Sequence, residues 1–318
     1  MYPERFSHLP EYAFPRLRAL LDGHNFVGPQ YNMTIGEPQH LYPLWIKDVL
    51  LDHIDGFNRY PANDGIEKLQ TSIVDWFYKR FGVALSSNKN ILPVNGTREG
   101  LYNVSMALCP DKLSDSQPFV LIPNPFYQVY MISALSVNSE PLFISTDEQS
   151  GHLPDYFGLK ADILNKTSAA YICSPSNPQG AVATVDYLTA LIELAEKYDF
   201  KIFADECYSE IYRYAPPPGL MQVSEKLGAD PNRVVTFHSL SKRSNLPGLR
   251  SGFAASGEKN IKQMKQLKAY SGAPIPEPLQ HVSASVWSDE EHVVETVSYT
   301  HLRAHETRGN LVCRLLLE

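Results

Sequence analysis

Short, almost continuously apolar runs separated by helix-length stretches constrain this chain more than any other feature. Residues 119–122, 169–173, 201–204, 234–237 and 252–255 read as strands covered on both faces. A strand with one wet face would alternate apolar and polar side chains, and these runs do not. Helical periods lie between them. Thr184 is placed as the N-cap of a helix on which Leu188, Leu191, Ile192, Ala195 and Tyr198 recur. Another period runs from residue 67 to residue 81, with Leu69, Ile73, Trp76, Phe77 and Phe81 on or near one face. Strands alternating with helices predict an α/β domain, a mostly parallel mixed sheet sandwiched by helices. Ligands of such sheets bind beyond the carboxyl ends of the strands, so the chemical residues should follow the strands directly.

A chain of 318 residues suffices for one large domain or somewhat more. Its net charge of −7 argues against nucleic acid and against a polybasic membrane anchor as partners. The opening MYPERFSHLPEYAFP has early acids and prolines but no apolar core of a signal peptide, and no run reaches the length of a membrane span. A cytoplasmic location is the expectation. Cys109, Cys173, Cys207 and Cys313 form no CxxC pair, and the ten histidines show no HExxH spacing, so neither a disulfide framework nor a metal is expected. GxGxxG and GxxxxGK[ST] are both missing, so any phosphate site is of another kind.

Four segments carry the chemistry. In SLSKRSNLPGLRSG, residues 239–252, Lys242 can form a Schiff base with an aldehyde cofactor. Ser239 and Ser241 offer hydroxyls, Arg250 a planar fork for phosphate, and Gly248 and Gly252 close backbone approach. In FADECYSEIY, Asp205 ends an apolar strand, where a carboxylate can pair with a protonated pyridine nitrogen. Tyr208, three residues on, can donate to a ring oxygen, and so can Asn177 in SPSNPQG. In PVNGTREGL, Gly96, Thr97 and Arg98 lead from a strand into a helix whose N-terminus is a ready anion site.

Gly-Thr-Arg, Asn-Pro-x-Gly, Asp-x-x-Tyr and Ser-x-Ser-Lys with an arginine eight residues on, in that order, resemble the pyridoxal-phosphate aminotransferases of fold type I, class I/II. The resemblance covers roughly residues 12 to 297. It implies the large, cofactor-binding domain of that fold with an incomplete small domain. It implies pyridoxal phosphate as cofactor and an amino donor with a keto or aldehyde acceptor as substrates. It further implies that Tyr127 in NPFYQVY stacks on the cofactor ring, although Phe126 or Tyr130 can be the packed aromatic instead. Gly36 in IGEP is similar to the glycine near the substrate carboxylate. Tyr60 in NRYPANDG is similar to the tyrosine that reaches the phosphate of a neighbouring subunit, which implies a homodimer.

MTIGEPQH, LPVNGTREGLY, IPNPFYQVY and above all SLSKRSNLPGLRSGF look like the succinyldiaminopimelate aminotransferases of lysine biosynthesis. That implies glutamate as donor and N-succinyl-2-amino-6-oxopimelate as acceptor. The same scaffold also serves other amino-acid aminotransferases and carbon–sulfur lyases, and a fragment of it can bind cofactor without turning over. The expected division is residues 1–44 as N-terminal arm and part of the small domain, 45–287 as cofactor domain and 288–296 as the start of an interdomain helix opened by a capping box at Ser288. Residues 297–318, VSYTHLRAHETRGNLVCRLLLE, resemble translated sequencing adapter and are expected to be non-native. On that reading the carboxylate-gripping arginine of the family is missing, and Arg303, Arg308 and Arg314 do not stand in for it.

Overall fold

The five apolar runs become the five inner strands of one sheet. The computed structural model describes residues 4–7, 9–24, 27–28, 41–212 and 214–300. Its strands are β1 (Ile91–Val94), β2 (Phe119–Asn124), β3 (Glu140–Ser145), β4 (Thr167–Cys173), β5 (Lys201–Asp205), β6 (Val234–Ser239) and β7 (Gly252–Ser256). Their order is β1-β7-β6-β5-β4-β2-β3. The two strands that apolar runs did not mark, β1 and β3, are the two edges. Pro93 sits in β1, and β3 is largely exposed, as edge strands permit.

The helices are α1 (Ala13–Leu21), α2 (Ile46–Asp52), α3 (Glu67–Phe81), α4 (Thr97–Leu108), α5 (Gln128–Ser136), α6 (Ala161–Leu164), α7 (Val185–Tyr198), α8 (Leu220–Leu227), α9 (Leu240–Arg243), α10 (Glu258–Ser271), α11 (Glu277–Ser288) and α12 (Glu291–Thr300). Both sheet faces are covered, which explains the continuous apolar runs. Ala169 and Tyr171 of β4 pack with Leu101 and Val104 of α4, Ala134 of α5 and Met264 of α10. Ala170 and Ile172, on the opposite face, pack with Ile73 and Phe77 of α3, Leu188 and Leu191 of α7, and Val286 and Trp287 of α11. Successive side chains of one strand thus enter two different cores.

The two expected helices form as read. Thr184 Oγ1 accepts from the Tyr187 amide at 3.1 Å, capping α7. Helix α3 buries Leu69, Ile73, Trp76, Phe77 and Phe81 and ends at Gly82, whose φ of 74° suits a residue without Cβ. The cap near Ser288 is different from the expectation. Ser288 is the last residue of α11, and its hydroxyl donates back to the Ala284 carbonyl. Asp289 Oδ1 instead accepts from the Glu291 amide at 2.8 Å and opens α12. A hydroxyl already engaged with its own helix cannot cap the next one. No helix among the described residues is long and apolar enough to cross a membrane. Residues 297–300 of the expected tail continue α12, and residues 301–318 of it, like Gly36, lie outside the described residues.

Candidate active site

Strand direction collects the four segments at one sheet edge. Strands β2 to β6 are parallel neighbours, whereas β7 runs antiparallel to both β6 and β1. Strand β1 therefore points the same way as β6, and β7 starts where the others finish. Val94 pairs with Gly252, and Gly252 pairs with Ser239, so the ends of β1 and β6 meet the start of β7. Phe237 pairs with Asp205, and Asp205 with Cys173. The residues that follow these ends share one rim.

The anion end is built on α4. Gly96 precedes the helix with φ 77° and ψ 156°, a conformation open almost only to glycine. The Arg250 guanidinium lies across it, where a Cβ on Gly96 would collide. Arg250 Nη1 donates to the Pro247 carbonyl at 2.9 Å and Nη2 to the Asn95 carbonyl at 3.3 Å. Glu99 steadies the turn by accepting from the Asn95 amide at 2.5 Å and from Lys268 Nζ at 2.7 Å. The first amides of α4 have no acceptor within the helix, so they face this corner with their positive end. Ser239 Oγ accepts from the Ser241 amide at 3.1 Å and lies 3.0 Å from Ser241 Oγ. Gly252 is required to be bare, since its Cβ would stand 2.6 Å from the His238 carbonyl oxygen. A Cβ at Gly248 would meet no protein atom within 4 Å.

Gly96→Ala should destabilise the protein by about 1–3 kcal/mol, because alanine pays for that dihedral pair and displaces Arg250. Thermal denaturation checks the first effect. Titration with pyridoxal phosphate checks the second, with weakened binding expected.

Asp205 forms the buried floor. It is 6% exposed. Its Oδ2 accepts from Tyr130 Oη at 2.7 Å, and its Oδ1 from the Cys207 amide at 3.3 Å. Burial pushes its carboxyl above the ordinary 3.8, against the opposing hydrogen bonds from Cys207 and Tyr130. Tyr130, which the motif offers only as an alternative packed aromatic, is the donor to Asp205 that the sequence does not mark. It is fully buried, stacks on Tyr171 at 4.5 Å and 13°, and Tyr171 in turn donates to the Leu101 carbonyl at 2.8 Å. Its only sequence signal is its place three residues after Tyr127, on the first turn of a helix that follows β2. Tyr130→Phe should cost about 1–3 kcal/mol by leaving a buried acceptor without its donor. Urea denaturation of the cofactor-free protein measures this.

The rim holds the remaining groups. A turn over residues 207–210 swings Tyr208 back over the edge. Asn177 Nδ2 donates to Tyr208 Oη at 3.2 Å, and Lys242 Nζ lies 6.0 Å from the Tyr208 ring centre. Thr97 Oγ1 lies 3.1 Å from Cys207 Sγ, which ties the anion corner to the floor. Arg98 is directed elsewhere: its Nε donates to Tyr127 Oη at 2.7 Å. Tyr127 meets Tyr130 edge to face at 5.8 Å. Tyr60 stands fully exposed at 102%.

This set fits a planar aldehyde cofactor carrying a phosphate. A bare-glycine corner with an arginine and a helix N-terminus suits the phosphate, and a buried carboxylate with tyrosine support suits a ring nitrogen. An amide–phenol pair beside a lysine suits the aldehyde side.

Comparison with known proteins points to one family. The family model described as aminotransferase class I and II matches residues 29–315. An LL-diaminopimelate aminotransferase of Dehalococcoides mccartyi is 28% identical over 300 residues, covering 92% of this chain and 74% of that protein. LL-diaminopimelate aminotransferase 2 of a Nostoc species is 26% identical over 318 residues, covering 98% and 78%. Among solved structures, an aminotransferase from Neisseria meningitidis is 33% identical with a TM-score of 0.87, covering 95% of this chain and 77% of that one. Aminotransferase AspB of Helicobacter pylori is 33% identical with a TM-score of 0.84, covering 91% and 76%. The chain belongs to the class I and II aminotransferases, enzymes that work with pyridoxal phosphate.

Proposed function

We propose that this aminotransferase moves the amino group of glutamate to N-succinyl-2-amino-6-oxopimelate, with Lys242 as its reactive amine. The observation that supports the site assignment is Lys242 Nζ at 6.0 Å from the ring of Tyr208, whose hydroxyl accepts from Asn177, just past the end of β6, the strand beside the one that ends at Asp205. Pyridoxal phosphate, when bound, supplies an aldehyde that condenses with amines and a ring that accepts an electron pair from the substrate carbon.

The residues divide the remaining work. Lys242 holds the cofactor and, once released, carries a proton to and from the substrate carbon. Asp205 keeps a proton on the ring nitrogen. Asn177 and Tyr208 donate to the ring oxygen. Ser239, Ser241, Arg250 and the amides of Thr97 and Arg98 hold the phosphate, and Tyr127 packs against the ring. Gly36 is assigned to the substrate carboxylate. Tyr60 is assigned to the phosphate of a second copy in a homodimer, a role that its full exposure allows. The cytoplasm is the proposed location.

The succinylated acceptor is supported by the likeness of residues 239–253 to succinyldiaminopimelate aminotransferases. A second reading, the unmodified LL-diaminopimelate, is favoured by the names of the curated relatives. Amino transfer to 2-oxoglutarate from each diamine separates them. The proposal expects N-succinyl-LL-diaminopimelate to be preferred in kcat/KM by at least about tenfold, since a site built around the acyl group loses those contacts with the free amine. Preference for the free diamine would establish the second reading. Activity with neither, but with oxaloacetate or pyruvate, would overturn both.

A further inference from the structure

The residue after Lys242 is a buried arginine that the assigned roles do not use. Arg243 is 2% exposed and lies against a pair of indoles, 5.6 Å from the Trp76 ring and 5.1 Å from the Trp287 ring, whose centres are 4.7 Å apart. Its Nη1 donates to the Val286 carbonyl at 3.0 Å and to Ser244 Oγ at 3.1 Å. Its Nη2 donates to the Asp289 carbonyl at 3.3 Å and to Glu290 Oε1 at 2.6 Å. Val286 belongs to the last turn of α11, and Asp289 and Glu290 connect α11 to α12. The guanidinium therefore occupies the corner between two helices, at the carbonyl end where positive charge is favoured. Burial presses its pKa down, and Glu290 and Glu210 oppose that most strongly.

Helix α9, which holds Lys242 and Arg243, has only four residues. Adjacent residues of a helix diverge by about 100°. Lys242 accordingly faces the open rim while Arg243 enters the core. A helix this short cannot hold its own orientation, so it takes the orientation of its best-anchored side chain. Arg243 has four acceptors and two rings; it is that anchor.

We propose that Arg243 is a positioning residue: it fixes Lys242 to the α11–α12 corner, so that the placement of that corner sets the reach of the Lys242 amine. The inference rests on Lys242 being the cofactor lysine. Arg→Lys is the informative change, because an ammonium keeps the charge but cannot span the Val286 and Asp289 carbonyls and the Glu290 carboxylate with a planar fork.

The test follows the absorption band that arises when the chain captures pyridoxal phosphate, and amino transfer from glutamate, in the full chain. Arg243→Lys should slow capture and lower kcat by about 10–100-fold with KM for glutamate little changed, as expected for misplacement on the order of 1 Å. Glu290→Gln, at a side chain 52% exposed, should act in the same direction with about a threefold loss, because one charged acceptor of four weakens the anchor without emptying the core. Arg233→Lys is the control. Arg233 also bridges several acceptors, Glu196, Asp199 and the Phe200 carbonyl, but it precedes β6 at the opposite sheet edge. It should lower Tm and leave capture and kcat unchanged.

If Arg243→Lys lowers only Tm, as Arg233→Lys does, the proposal is overturned. If Arg243→Lys does not fold, Glu290→Gln decides: slower capture supports the anchor, and unchanged capture overturns it. A wild-type chain that forms no band would overturn the Lys242 assignment itself, and the anchor role with it.

Discussion

Replacing Lys242 by alanine is expected to abolish the cofactor absorption band and to lower amino transfer by about 10²–10⁴-fold, the range for losing a positioned proton carrier. The reason is local. Lys242 Nζ stands 6.0 Å from the Tyr208 ring centre, on the rim where Asn177 and Tyr208 meet. Lys242 is half-buried and is not part of either apolar core, so the variant should fold. Lys242→Arg separates charge from chemistry. It keeps a cation at the same place but supplies no nucleophilic amine at neutral pH, and it should be as inactive as alanine. Spectra with added pyridoxal phosphate, and single-turnover reaction with glutamate, read both effects. A band that persists in Lys242→Ala at wild-type intensity would assign the cofactor to another lysine and sink this reading.

Asp205→Asn is expected to have two opposite effects. Amino transfer should fall by about 10²–10³-fold, comparable to removing one preorganised electrostatic partner. The cofactor-free protein should become more stable at neutral pH. The sign follows from the raised carboxyl pKa. The folded state holds the Asp205 proton more tightly than the unfolded chain does, so unfolding releases it. Stability therefore declines as pH rises from 3.8 through the raised folded value, and above that window the buried charge is a standing cost. Asparagine cannot ionise and is spared this. A gain of about 2–4 °C in Tm corresponds to roughly 1 kcal/mol in a domain of about 150–250 residues. At a pH below the window the two proteins should converge. A Tm profile for Asp205→Asn that runs parallel to wild type at every pH would show that the carboxylate is not under strain. Loss of both stability and activity would mark Asp205 as a structural residue.

Much of this was legible in the residues. The inner strands announced themselves because a strand covered on both faces needs apolar side chains at every position. The edge strand β3 did not, because its exposed face carries no such requirement. Asp205, Asn177, Tyr208 and Lys242 stand out in the sequence because each ends or closely follows an apolar run in a local motif, and the structure brings Asn177 to Tyr208 and Lys242 to the Tyr208 ring. The bond from Tyr130 to Asp205 was not legible, because it joins residues 75 apart in the chain.

The sequence by itself determined the fold class, the order of the chemical groups along the chain and the family to which they belong. Periodicity and motif spacing are local properties, so the chain carries them without its fold. Only the tertiary structure decided which groups meet. The reversal of β7 brings Arg250 to the Asn95–Gly96 corner across a separation of 155 residues. The order β6-β5-β4 sets Lys242, Asp205 and Asn177 side by side. The same packing drives Arg243 against Trp76 and Trp287 and onto carbonyls more than forty residues away. Such contacts depend on how two hydrophobic cores are shared across one sheet, a balance of burial over the whole chain that no single segment contains.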